Sequence, residues 1–303
     1  MALTIDSDLQ RQAFMFGAMK AFKKKLVSLT AFSIAIRNAV LEGTDEVAVP
    51  YFPLYGTASK DFVPATGYEF GEDATINSRK VTVDQRKYQP LAITSAELRR
   101  QPHLDPMTLG ELKGDKLAVD VINDVLSEVT LANYGAAVIT EAAGSFTKED
   151  VIDIQTACDE AEWPEDPRHL ALKPAYRGNV LKDSVILEGG GSGPFAALRD
   201  GQVRDLFGMG LITSNTIPAN GENLVGFVAH PSAMLVAFAP IEPHPNVRKN
   251  LVSYERFEDD QVGLTLELRE WGDPDSDTGK TTLECNYGKA VGEAAALSRI
   301  TSA

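Results

Sequence analysis

Leu170-Ala171-Leu172-Lys173-Pro174-Ala175-Tyr176 opens the stretch that decides the fold, and Val225-Gly226-Phe227-Val228-Ala229-His230-Pro231 closes it. Leu170-Ala171-Leu172 reads as a short strand, and Pro174 to Asp183 as the start of a helix. Gly189 to Pro194 is a loop. Leu224 to Ala229 is a second short strand, after which Pro231-Ser232 opens a small predicted helix through Phe238. Helices and strands are therefore mixed and short across the middle of the chain.

Working outward toward the N terminus, Thr147-x-x-Asp150 is a near capping box, with Asp where Glu or Gln is usual. Val151, Ile154, Cys158 and Ala161 follow at helical spacing, and Pro164 marks the end of that helix. Before it, Leu117, Val121, Val125 and Ala118, Ile122, Val129, Ala132 form an apolar stripe, with Asp115, Asp120, Asp124 and Glu128 largely off it. The spacing predicts one helix over 107–135, roughly 43 Å long at 1.5 Å per residue. Residues 47–94 read as extended: Val47, Val49 and Tyr51 alternate, as do Arg79, Val81 and Val83. Between them lies a turn-rich stretch with Pro53, Gly56, Pro64, Gly67 and Gly71. A lone hairpin is marginal in water, so this one must lie on something else.

Residues 1–46 are partly helical, with Phe14, Met15, Ala18, Met19, Phe22 and Leu26 near helical spacing. Residues 1–37 hold six Lys/Arg against Asp6 and Asp8, a net of +4 in a chain of −14. Lys20, Lys23, Lys24 and Lys25 precede a largely apolar run ending at Ile36. That order resembles a secretion signal. The run starts late, however, is broken by Ser28, Thr30 and Ser33, and is too short for a bilayer, which needs about 20 apolar residues. A basic amphipathic arm with no membrane role is the expectation. At the other end, Val262, Leu264, Leu266 and Leu268 alternate with polar residues, as do Leu283, Cys285 and Tyr287. Asp273 to Gly279 turns the chain between them into a hairpin. Residues 253–278 hold nine acids against Arg256 and Arg269, a net of −7.

The chain has 303 residues and 44% apolar composition, which suits about two domains and excludes disorder by composition. Its acidity disfavours a dedicated nucleic-acid reader. Two cysteines, Cys158 and Cys285, exclude a disulfide scaffold, and their apolar faces favour packing over reactivity. The four histidines, at 103, 169, 230 and 244, form no HExxH, and no triad spacing stands out. Gly189-Gly190-Gly191-Ser192-Gly193 is followed by Pro194-Phe195 rather than Lys-Ser/Thr, so it is a loop and not a phosphate cradle. Asp273-x-Asp275-x-Asp277 with Glu284 resembles a calcium loop. But Thr278 stands where that loop needs Gly, and the flanks are strands. A solvated acidic turn is the preferred reading. No enzyme, cofactor or metal site is expected.

These phrases and their order resemble one family, the tailed-bacteriophage major capsid proteins of the HK97-like fold. The residues that carry the resemblance run from Leu170–Tyr176 to Leu181-Lys182-Asp183, through Gly193-Pro194-Phe195 and Asp200-Gly201-Gln202-Val203. Leu206-Phe207-Gly208, Ser214-Asn215-Thr216-Ile217-Pro218 and Val225–Pro231 with Ser232-Ala233 complete them. The resemblance implies an α+β fold with an N-terminal arm (1–46), an extended E-loop (47–94) and a peripheral domain with a spine helix (95–146). An axial domain (147–245) and a returning peripheral ribbon with the C terminus (246–303) follow. It implies a structural, non-enzymatic coat subunit that forms hexamers and pentamers in an icosahedral virion shell around double-stranded DNA. Assembly would occur in the host cytoplasm, without a membrane, with a separate scaffolding protein and a portal as partners and a decoration protein as a further one. Tyr68, Glu69, Phe70 and Gly71 at the E-loop tip, with Asp273 and Asp275, would touch neighbouring subunits. Lys20, Lys23, Lys24 and Lys25 would line the inner surface. Shells held without covalent cross-links are expected, since the ribbon turn offers Asp rather than Asn. An encapsulin-type compartment shell is the alternative within the fold. A calcium-binding soluble α/β protein is the alternative outside it.

Overall fold

The computed structural model describes residues 8–37, 46–51, 62, 64, 77–100, 105–182, 205–259 and 264–303. The helices used below are α1 (Asp8–Leu26), α2 (Ser95–Arg100), α3 (Pro106–Leu126), α4 (Leu131–Tyr134), α5 (Lys148–Glu160), α6 (Pro174–Val180) and α7 (Pro245–Arg248). The first sheet holds β1 (Ser33–Arg37), β4 (Gln85–Thr94), β10 (Met234–Phe238), β11 (Ser253–Asp259), β12 (Leu264–Asp273) and β13 (Thr278–Val291). Its order is β1-β10-β13-β12-β11, with β4 also paired to β13. The second sheet holds β5 (Ala137–Thr140), β6 (His169–Leu172), β7 (Asp205–Leu206), β8 (Met209–Thr213), β9 (Leu224–Ala229) and β14 (Leu297–Thr301), in the order β5-β14-β9-β6-β8-β7. A separate antiparallel pair joins β2 (Glu46–Tyr51) to β3 (Asn77–Thr82).

The strict alternation in the C-terminal ribbon puts Leu264, Leu266 and Leu268 of β12 and Leu283, Cys285 and Tyr287 of β13 on one face, with Leu268 opposite Leu283, and that face packs in the main core with α1 and α3. Tyr287 Oη donates to Asp124 of α3 at 2.8 Å, and Arg11 of α1 meets Glu270 of β12 at 2.6 Å. Thr265, Glu267, Arg269, Glu284 and Asn286 point to the opposite face. Alternation predicts that face to be wet. Instead Thr265, Glu267 and Asn286 are each at most 2% exposed. The connection from β10 to β11 clamps onto the same face. Ile241 donates its N–H to Glu267 at 2.8 Å, and its carbonyl accepts from Arg269 at 2.8 Å.

α1 and α3 lie side by side, and glycine sets their distance. A Cβ on Gly110 would fall 2.0 Å from the carbonyl oxygen of Phe14, and one on Gly114 would fall 2.3 Å from that of Ala18. The backbones therefore touch directly, with Phe14, Met15, Ala18, Phe22 and Leu26 buried behind them. The described part of residues 1–46 is thus built into the body and is not a free arm. β1 follows it as a parallel neighbour of β10, and Phe32 packs edge-on against Phe227 of β9, ring centroids 5.2 Å apart.

α3 stops at Leu126, not near residue 135. At 21 residues it is about 32 Å long rather than 43 Å. Ser127 closes it through its backbone N–H. A second short helix, α4, starts only after Thr130 and ends at Gly135, whose φ of 77° is left-handed. The apolar stripe continues past Leu126 because Val129 is also core, so periodicity alone extended the helix. At the other end Asp105 accepts from the N–H groups of Met107 and Thr108, each at 3.2 Å, with Pro106 in the first turn. The Thr108 hydroxyl, and then these amides, hold its carboxyl below the usual carboxylate range. Asp105→Ala should lower the thermal midpoint by a few degrees. A depressed pKa stabilises only while the group is ionised. The gap between wild type and variant should therefore narrow as pH falls below about 4, and melts at pH 7 and pH 3 check the sign.

Asp150 accepts the Thr147 backbone N–H at 2.6 Å and opens α5 as the sequence predicts, burying Val151, Ile154 and Cys158. Met234–Phe238 is a strand rather than the predicted helix. It is buried on every residue between β1 and β13, and a five-residue apolar run carries no period that separates strand from helix. Only Pro231–Ala233 turn helically before it.

Candidate assembly surfaces

The root of the long hairpin is well anchored. Val47 and Val81 face each other across β2 and β3, and Val49 pairs with Arg79. Val47, Val49, Val81 and Val83 form a second core cluster with Leu235, Ala237 and Ala239. A Cβ at Gly288 of β13 would lie 2.2 Å from the carbonyl oxygen of Thr82, so the root rests directly on the first sheet. Arg79 adds hydrogen bonds from Nη1 to the carbonyls of Val291 and Gly292. Tyr68, Glu69, Phe70 and Gly71 lie outside the described residues. The described base of the hairpin is thus seated on the body, where the sequence predicts an element with little burial of its own.

The basic residues of α1 face acids of the same chain. Lys20 meets Glu111 at 2.8 Å, Lys23 meets Asp259 at 2.6 Å and Lys25 meets Asp115 at 3.5 Å. Lys24 is exposed. The +4 read from composition is therefore largely balanced locally, because α3 and β11 bring their acids alongside. These pairs are mostly solvent-exposed and each contributes little to stability.

The acidic turn between β12 and β13 is exposed at residues 274–277. Asp273 meets Lys280 at 2.6 Å, and that hydrogen bond, with one involving Ser276, holds its carboxyl at about 2. Asp277 accepts from the Ser95 hydroxyl at 2.9 Å. Glu284 lies well inside the sheet, within 2.6 Å of Arg86 and 3.2 Å of Arg269. The four acids of the calcium-loop pattern therefore do not converge: strand geometry carries Glu284 along β13, away from the turn. Among the described residues no group of three His, Cys, Asp or Glu side chains could hold a metal ion.

Burial pushes the Cys158 thiol up to about 11, and burial pushes that of Cys285 far up. His230 accepts the Ser232 N–H through Nδ1 at 3.3 Å and caps the short turn after β9. Burial, with His169 nearby, lowers its pKa. Among the described residues no helix is long and apolar enough to cross a membrane. Sequence reasoning missed the polar face of the first sheet, because its residues read as the solvated half of an alternating strand.

No protein-family model matches this chain, and no curated protein matches it. Solved structures do. The capsid of cyanophage P-SCSP1u aligns at a TM-score of 0.59 and 14% identity, over 89% of this chain and 87% of that one. The virus-like particle from Pyrococcus furiosus aligns at 0.59 and 14%, over 95% and 98%. The mature capsid of bacteriophage PhiM1 aligns at 0.56 and 12%, over 88% and 85%. The chain has the α+β HK97-like capsid fold.

Proposed function

We propose that this chain is a structural coat subunit, the major capsid protein of a tailed bacteriophage, which assembles into an icosahedral shell around double-stranded DNA. The observation that carries the reading is the likeness of nearly the whole chain to shell subunits, in both directions of coverage. A fold shared over most of both chains supports a shared structural role. The hairpin root supports it too. Tyr68, Glu69, Phe70 and Gly71 between these strands, with Asp273 and the exposed Asp275 of the ribbon turn, would meet neighbouring subunits. Hexamers and pentamers would then close through head-to-tail contacts. Residues 1–46 would act as a docked inner layer, with Lys20, Lys23, Lys24 and Lys25 facing genome or a separate scaffolding protein. A portal and a decoration protein are further partners in this reading, and the particle is the place where the chain resides.

Electron microscopy of the purified protein, expressed alone, tests the proposal. Uniform hollow shells are the expected result. Monomers alone, persisting when candidate scaffolding partners are co-expressed, would overturn it. A second reading, an encapsulin-type compartment, is favoured by the Pyrococcus furiosus particle, which covers 95% of this chain. Nucleic acid within particles purified from the native source separates the two: genome-length DNA supports the coat, and protein cargo supports the compartment.

A further inference from the structure

Asn220-Gly221 is the one Asn-Gly step in the sequence, and it lies in the connection between β8 and β9. That connection latches the second sheet to α3. Asn220 Nδ2 donates to the carbonyl of Leu126 at 3.0 Å and to that of Val129 at 2.8 Å. Leu126 is the last residue of α3, where carbonyls outnumber the N–H groups available to them. Two residues on, the Glu222 carboxylate accepts the Leu131 N–H at 2.8 Å and pairs with Arg299 of β14. Arg299 is 2% exposed and also donates to the Gly135 carbonyl at 2.9 Å. One loop of the second sheet thereby holds the end of α3 and the start of α4.

The same two residues can react with each other. The Gly221 backbone nitrogen gives up its proton and bonds to Cγ of Asn220. The Cγ–Nδ2 bond breaks and ammonia leaves. Water then opens the cyclic imide at either carbonyl, giving aspartate or isoaspartate, with no oxidation or reduction. Glycine crowds this ring least, since it has no Cβ. Gly221 is exposed, and nothing lies within 4 Å of the place where a Cβ would stand, so the site is open to water. The seated loop nevertheless blocks the first step. Asn220 has a φ of 52°, in the left-handed region. There Cβ lies against the residue's own carbonyl oxygen, and therefore on the side away from the next nitrogen. Cγ is turned from its attacker while Nδ2 is held by two carbonyls. Ring closure requires the backbone at Asn220 to leave this conformation, which withdraws the side chain from α3.

We propose that Asn220 is a deamidation site protected by its own seat on α3, and that conversion after the loop lifts prevents it from reseating. The product carries a carboxylate where an amide donor stood. That charge would face two carbonyl oxygens at the negative end of the α3 dipole, with the Glu222 carboxylate two residues away. Isoaspartate also lengthens the backbone of the turn. The modification therefore records, irreversibly, that the loop has left α3.

Peptide mass spectrometry of full-length protein tests this after incubation at mildly alkaline pH, folded or in unfolding urea. It reads the mass gained when an amide becomes an acid. Asn220 should convert at least about tenfold more slowly in the folded chain, because only the lifted fraction reacts. Asn223 is exposed and also at positive φ, but Leu224 follows it, so it should stay largely intact in both conditions. Equal rates at Asn220 with and without urea, or no conversion in urea, would overturn the proposal. Glu222→Gln weakens the pair with Arg299 and should speed conversion of Asn220 in the folded protein several-fold, whereas an unchanged rate would show that this loop is not the gate. The wild-type comparison decides alone if that variant does not fold. Asn220→Asp carries the product's charge and should lower the thermal midpoint by a few degrees. A wild-type midpoint would mean that the product still seats, and the proposal fails.

Discussion

Gly110→Leu and Gly114→Leu should abolish folded, soluble protein. At each position the first added atom would lie 2.0 to 2.3 Å from a backbone carbonyl oxygen of α1, and a backbone atom cannot rotate away as a side chain can. Relief requires the two helices to part. That would unseat Phe14, Ala18 and Phe22, and with them the inner face of the first sheet. Overpacking of a tight core costs about 1–3 kcal/mol and more where nothing can relax, against a total stability of only about 5–15 kcal/mol. Gly17 belongs to the same contact, with Met107 O at 2.3 Å from its virtual Cβ. Even Gly110→Ala should lower the urea midpoint clearly. Gly178→Ala is the control. Gly178 lies in α6 with nothing within 4 Å of an added Cβ, so a gain of about 0.4–1 kcal/mol is expected there. A Gly110→Leu protein with a wild-type urea curve would show that α1 does not pack as described.

The same glycines show where the sequence was mute. Leu117, Val121 and Val125 announce the buried side of α3 by their spacing, because burying side chains leaves a periodic trace. A backbone contact leaves only small residues, and Gly110-x-x-x-Gly114 has no partner written beside it. Strands that bury one face were legible: Val47, Val49 and Val81 of the hairpin root, and Leu264, Leu266 and Leu268 with Leu283, Cys285 and Tyr287 of the ribbon. Met234–Phe238 was not, since burial on both faces erases the period of two. The basic stretch Lys20–Lys25 was visible as charge, whereas its acids came from residues 111, 115 and 259, distant in sequence. The candidate surfaces divide in the same way. The acidic turn was legible as a turn, while the buried polar face of the first sheet needs β4, β12, β13 and the β10–β11 connection together, and no local pattern could reveal it.

Arg269→Met should cost about 3–5 kcal/mol near neutral pH, the penalty of stranding buried carboxylates. Arg269 touches both Glu267 and Glu284, and Glu267 is 1% exposed. Glu284 keeps Arg86, but Glu267 keeps neutral partners, the Ile241 N–H and the Tyr254 hydroxyl. The Ile241 carbonyl loses a charged donor as well, so the β10–β11 connection should loosen. The pH dependence gives the mechanism a signature. Burial already raises the Glu267 pKa, with Arg269 opposing the shift, so removing Arg269 must raise it further. A carboxyl whose folded pKa lies above its unfolded value binds more protons when folded. Stability then falls as pH rises through that window and recovers toward acid. The deficit of Arg269→Met should therefore be largest at pH 8 and shrink by pH 5, as Glu267 takes up a proton and becomes a neutral partner for Ile241. Arg269→Met combined with Glu267→Gln should remove most of that slope. Urea unfolding of both variants across this range is the measurement. A deficit that does not change with pH would mean that lost packing against Tyr254, not the stranded charge, carries the cost.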